Sequence, residues 1–209
     1  MKKFIFEIEI ASADSRDMAW ATGFGPLPGG LPFLLPVELE RYNAFWKVNP
    51  SPPGIITYDR GWKWPDLMGH GGGSPSFFAS ERVLSFFRLN DALIGRITEM
   101  PVNEINAKRL KSIPPPKYYV IECVPGIDVD FAASEIDTDA SGKPIFPYNG
   151  WRWPLPLIKA RASSWNGTDL FSYRNWSGPL KWVCTEKLKD LAEKENFLNM
   201  SFQPRELIQ

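Results

Sequence analysis

Near its start the chain alternates Phe6, Ile8 and Ile10 with Glu7 and Glu9. That two-residue period predicts a strand with one buried and one polar face. Leu39, Tyr42 and Trp46, spaced by three and four, allow a short helix over 37–47. Residues 55–58, 155–161 and 168–173 read as further strands. Residues 118–124 (Tyr-Tyr-Val-Ile-Glu-Cys-Val) read as a strong strand set off by prolines at 114–116, with 127–133 as its hairpin partner.

The most regular stretch begins at Phe77. Phe77-Phe78-Ala79 predicts a short strand and Ser80 a helix N-cap, followed by Glu81, Arg82 and the apolar set Val83, Leu84, Phe86 and Phe87. The helix is expected to run to about Asn90, with Gly95 ending the region. Residues 97–102 return as a strand with an edge proline, Pro101. The plan recurs later: Lys181-Trp182-Val183-Cys184 is a strand, Thr185 an N-cap, 186–192 a helix closed at 196–198, and 200–205 a returning strand. Ala79-Ser80-Glu81-Arg82-Val83 matches Cys184-Thr185-Glu186-Lys187-Leu188 by residue type, and 97–101 matches 200–204 more loosely.

The expected fold class is α+β: mostly antiparallel sheet, few short helices, two similar strand–helix–strand units and long Pro/Gly-rich loops. One domain spans 1–209, with two structurally similar halves of about 1–110 and 111–209. The 20 prolines and 16 glycines agree with many turns. Gly23 to Pro32 excludes a helix or a central strand, because proline removes donors and glycine costs entropy.

Composition narrows the function classes. Lys+Arg and Asp+Glu number 24 each, so the net charge is zero. A generic nucleic-acid binder shows a basic excess, and this chain leaves room only for a local basic patch. Two lysines before an apolar run imitate a signal peptide, but Glu7 and Glu9 interrupt a region that needs ~7–15 apolar residues. No stretch approaches the ~20 apolar residues of a membrane span. With only two cysteines, Cys123 and Cys184, a reducing cytoplasm is the expected location.

Candidate chemistry is sparse. His70-Gly71-Gly72-Gly73 resembles an esterase oxyanion-hole segment, but the chain lacks a Gly-x-Ser-x-Gly elbow and His70 is its single histidine. Cys123, Cys184 and His70 have no zinc-type spacing, and each cysteine sits in an apolar strand as a structural thiol. Gly23-Phe24-Gly25 lacks the strand and helix of a dinucleotide loop. Asp137-Thr138-Asp139-Ala140-Ser141-Gly142 matches the first half of a calcium loop, but Tyr148 stands where the closing glutamate belongs, so a hairpin turn is the better reading. No catalytic residue, cofactor or metal is expected.

Two features suit binding. Asp128, Asp130, Glu135, Asp137 and Asp139 form the densest acidic stretch, fit to be a solvated edge or a patch facing a basic partner. Trp62-Lys63-Trp64 and Trp151-Arg152-Trp153, with Trp165, lie among Gly/Pro turns; on extended backbone the paired indoles point one way. They could anchor a protein interface, stack on sugars, or pack beneath loops.

The order of segments then becomes informative. Ser80-Glu81-Arg82-Val83, Met100-Pro101-Val102, Tyr118-Tyr119-Val120-Ile121, Val129-Asp130-Phe131 with Ser134, Asp169-Leu170-Phe171 and Cys184-Thr185-Glu186-Lys187-Leu188-Lys189 follow in series over about 77–207. The series resembles bacterial immunity proteins of polymorphic toxin systems, akin to the double-CxxCG family. The CxxCG pairs are missing, so no metal site is carried over. The resemblance implies a cytoplasmic, non-catalytic protein, a monomer or homodimer, that binds a cognate toxin and occludes it. The expected contact residues are Asp128, Asp130, Glu135, Asp137, Asp139, Trp151 and Trp153, with no nucleic acid or membrane as partner. The alternative is a carbohydrate- or ligand-binding module using the tryptophan-rich loops.

Overall fold

The computed structural model describes residues 3–10, 18–19, 21–24, 40, 44, 47–48, 54–57, 61–68, 78–90, 92, 94–142, 144–145, 158–175 and 181–209. Its strands in chain order are β1 (Lys3–Ile10), β2 (Ala21–Phe24), β3 (Ile55–Thr57), β4 (Leu67–Met68), β5 (Phe78–Ser80), β6 (Ile94–Met100), β7 (Val102–Ile105), β8 (Tyr118–Cys123), β9 (Pro125–Ile127), β10 (Lys159–Arg161), β11 (Leu170–Tyr173), β12 (Trp182–Cys184) and β13 (Met200–Ile208). Helix α1 (Glu81–Leu89) joins β5 to β6, and α2 (Glu186–Glu195) joins β12 to β13. The α+β class is as expected. Of the predicted helix at 37–47, residues 40, 44 and 47 are described, and each is helical.

Three sheets form. One has the order β4-β5-β8-β6 and is wholly antiparallel. A second, β2-β3-β7, includes the parallel pair β3–β7. The third, β10-β13-β1-β12-β11-β9, has six strands and is mixed: β10 runs parallel to β13, and β9 parallel to β11. In both strand–helix–strand connections the two joined strands flank an antiparallel central strand. β5 and β6 enclose β8, while β12 and β13 enclose β1. A helix of nine or ten residues suffices to carry the chain across one intervening strand.

Both helices start as expected. The Ser80 and Thr185 hydroxyls accept the Val83 and Leu188 N–H groups, and Glu81 and Glu186 stand in the first turn, where the helix dipole favours negative charge. α1 buries Val83, Leu84, Phe86 and Phe87; α2 buries Leu188 and Ala192. These side chains meet Ile8, Leu67, Ile121, Leu170 and Trp182 in one core fed by both sheets. Phe87 meets Trp182 edge-on at 5.9 Å between centroids, and Phe86 meets Phe197 at 5.2 Å. Such pairs add ~0.5–1.5 kcal/mol each beyond area burial, so α1 is fastened to β12 and to the segment after α2 as well as to its own sheet.

Two expectations are corrected. Residues 127–133 are not the hairpin partner of 118–124. After Cys123 the chain leaves its sheet, and Pro125–Ile127 pairs with β11 instead. Residues 131–135 are turns, because Asp130 accepts the Ala133 N–H and leads the chain round. The expected polar face of β1 is also not solvated, since Glu7 is fully buried.

Candidate partner-binding site

Among the expected contact residues, Trp151 and Trp153 lie outside the described residues, as do His70 and Tyr148. The five acidic residues divide into two groups. Asp130 binds Arg161 at 3.0 Å and accepts the Ala133 N–H, and Asp128 faces Arg174 at 3.7 Å. The backbone bonds and then Arg161 hold the Asp130 carboxyl below its ordinary value. These two aspartates therefore stabilise the turn after β9. Glu135 is exposed at the end of the turn 131–135, and Asp137 and Asp139 are exposed at a small hairpin closed by the bridge between Thr138 and Pro144. Asp139 accepts both the N–H and the hydroxyl of Ser141, and Gly142 takes the left-handed conformation at φ +78°. The half-match to a calcium loop is thus a turn. Among the described residues no three of His, Cys, Asp and Glu are grouped as metal ligands.

The tryptophans also divide. Trp62 is 43% exposed, with the Lys63 ammonium 4.5 Å from its ring centroid. Trp64 donates to the Ile113 carbonyl at 3.0 Å and rests on Tyr118. Trp165 donates to the Thr168 carbonyl and rests on Phe171. Trp64 and Trp165 thus hold turns in place.

Two charged clusters escaped the sequence reading. The first lies on β1. Glu7 accepts the Tyr173 hydroxyl at 2.9 Å and an Arg205 N–H at 2.8 Å, with the Lys181 ammonium at 3.5 Å. Lys181 and Arg205 also reach Glu9, at 3.6 and 3.8 Å. Burial pushes the Glu7 carboxyl up, but the bonds and charges of Arg205 and Lys181 outweigh it, so the net shift is down. Burial, then the Glu7 charge, pushes the Tyr173 phenol well up. Glu7 is a buried anion locked by cations, not a proton carrier poised near neutral pH.

The second cluster surrounds the start of α1. Asp66 accepts the Ser80 hydroxyl at 2.7 Å, an Arg82 N–H at 3.2 Å and the Leu198 N–H at 2.8 Å. Arg82 also donates to the Glu195 carbonyl and lies 4.6 Å over the Phe197 ring. An open groove runs alongside, with Trp64, Pro116 and Leu198 as apolar walls and Asp66, Glu81, Arg82 and Lys117 as charged ones. At the start of α2, Asp169 accepts the Thr185 hydroxyl at 2.7 Å and the Lys187 ammonium at 2.6 Å.

Among the described residues neither cysteine is an activated nucleophile. Cys123 and Cys184 lie in the shared core, and burial pushes both thiols up, so they stay protonated. The groove escaped the sequence reading because its walls come from four separated segments; only the flagged Trp62-Lys63-Trp64 pair signalled it. No helix among the described residues is long and apolar enough to cross a membrane. The chain matches no protein-family model and no curated protein.

Proposed function

We propose that this chain is an immunity protein that binds a cognate bacterial toxin in the cytoplasm and blocks it by occlusion, without catalysis or a cofactor. The order of segments from Ser80 to Lys189 supports the family reading. The observation that carries the binding reading is how the chemically capable groups are used. Glu7, Asp66 and Asp169 are each held by at least two internal donors, and both thiols are buried. Recognition needs none of these groups free; it needs an apolar anchor and complementary charge at the surface. The test is co-expression with the toxin encoded beside this gene. Growth should be rescued and the two proteins should elute together; continued arrest beside folded protein refutes the reading.

We infer further that the chain is one unit built twice. Ala79 faces Tyr119 on one central strand and Cys184 faces Phe6 on the other. Ile97 faces Ile121, and Phe202 faces Ile8. Val102 lies beside Ile55 in a parallel pair, and Leu207 beside Ala160 in another. Phe24 faces Ile55, and Val129 faces Ala160. Ala79/Cys184, Ile97/Phe202, Val102/Leu207, Ile55/Ala160 and Phe24/Val129 are all separated by the same number of residues. This register aligns 97–100 with 202–205, which replaces the match to 200–204 and leaves the two helix connections equal in length. On this reading each half's central strand is supplied by the other: β1 completes the second unit and β8 the first.

A further inference from the structure

We propose that the turn at 108–117, with the groove beside it, is a docking face for an acidic protein segment that carries an apolar side chain. The starting point is local charge. Between Glu104 and Glu122 the chain carries Lys108, Arg109, Lys111 and Lys117 and no acidic residue, although the whole chain is neutral. All four cations are exposed. No salt bridge recorded among the described residues involves any of them.

The turn that presents them is firmly seated. Ala107 and Leu110 are buried, the Leu110 N–H donates to the Ala107 carbonyl and the Ile113 N–H to the Leu110 carbonyl, each at 2.9 Å. With this three-residue period, Lys108 and Lys111 project from one side while Leu110 points inward. Trp64 clamps the far end through the Ile113 carbonyl, and prolines 114–116 stiffen the passage to Lys117. The cations therefore stand on a preorganised surface, which lowers the ordering cost of binding. Ile113, 44% exposed, adds apolar area, and the groove walls of Trp64, Pro116 and Leu198 continue it.

The choice of occupant follows from the mixture. A polyphosphate backbone needs a continuous cationic track, because each phosphate neutralised contributes alike. Here these four exposed cations are confined to the turn and its edge, and Asp66 and Glu81 on the groove walls interrupt any such track. A membrane surface would engage the cations but leave the groove walls of Trp64, Pro116 and Leu198 unused. An acidic protein segment satisfies both parts: carboxylates meet Lys108, Arg109, Lys111 and Lys117, while one apolar side chain enters beside Trp64 and Leu198. This inference concerns the chemistry of the face and stands independently of the immunity reading.

The test measures binding of a short labelled peptide, a Leu-Trp pair between Glu/Asp flanks, by fluorescence anisotropy at physiological salt. The full chain is compared with two charge reversals: K108E/R109E/K111E on the turn, and E135K/D137K/D139K on the acidic hairpin. The turn reversal should weaken binding about tenfold or more, given the modest worth of each screened pair, and the hairpin reversal should not weaken it. K108A/R109A/K111A should fall between wild type and the turn reversal. A peptide with Ser-Gly in place of Leu-Trp should also bind about tenfold more weakly. Equal binding by the turn reversal or by the Ser-Gly peptide overturns the proposal. So does tighter binding of a short oligodeoxynucleotide or of phosphatidylserine vesicles. Concentration-dependent self-association abolished by either reversal would assign the face to a second copy and likewise overturn it.

Discussion

Glu7 shows most plainly how a single residue is placed. Alternation predicts its strand and puts it on the polar face, but that face is covered, so a carboxylate that water would normally solvate is solvated by Tyr173, Arg205 and Lys181. Removing one partner from such a pair leaves an uncompensated buried charge. Glu7→Ala should therefore cost about 3–5 kcal/mol of unfolding free energy in urea titration. The pH dependence follows from the direction of the shift. The Glu7 carboxyl is lower in the folded chain than its ordinary 4.5, so its contribution is complete above that pH and disappears as pH falls through the lowered value. Asp169 moves the same way: burial pushes it up, but the bonds from Lys187 and Thr185 bring it lower. Stability measured by urea should stay level from neutrality to about pH 5 and fall below it. Glu7→Gln should show a shallower acid slope; a slope equal to wild type would contradict this account.

Among the elements, the helix starts were legible and their supports were not. Ser80-Glu81 and Thr185-Glu186 announce caps because capping is local, decided within four residues. The carboxylates that hold those hydroxyls, Asp66 and Asp169, lie 14 and 16 residues away, and no local pattern marks them. The path after Cys123 was misread for a related reason. An apolar run after a strong strand suggests a hairpin, and nothing local shows that Pro125–Ile127 joins the other sheet. These supports set a ranking of mutational costs. Ser80→Ala and Thr185→Ala should each lose about 0.5–2 kcal/mol. Asp66→Ala should lose more than Ser80→Ala, because the Leu198 N–H and Arg82 lose their acceptor as well. A Ser80/Asp66 double-mutant cycle should show coupling of at least ~0.5 kcal/mol, and simple additivity would count against the shared support.

At the scale of the whole molecule, the central strands β1 and β8 govern behaviour. β12 and β13 have no contact in the sheet except through β1, as β5 and β6 have none except through β8. Deleting residues 3–10 should therefore unfold the second unit, read by loss of the Trp182 environment in near-ultraviolet circular dichroism. On the proposed duplication, fragments 1–110 and 111–209 should be unstructured alone and should form a folded complex when mixed; two independently folded fragments would refute it. The recurrence of strand, cap and helix was visible in sequence, because it rests on residue types at fixed spacing. The neighbours of β1 and β8 were not, because alternation tells which face of a strand is buried and not which strands lie beside it.

The proposed binding role draws on all three scales: among the described residues Glu7, Asp66, Asp169 and both cysteines are held within the structure, while the surface beside α1 keeps an open groove flanked by exposed cations. The measurement that bears on it most directly is growth of cells expressing the adjacent toxin with and without this chain. The account predicts that the chain restores growth and elutes with the toxin as one complex. Persistent growth arrest beside abundant folded chain, with the two proteins eluting apart, would contradict it.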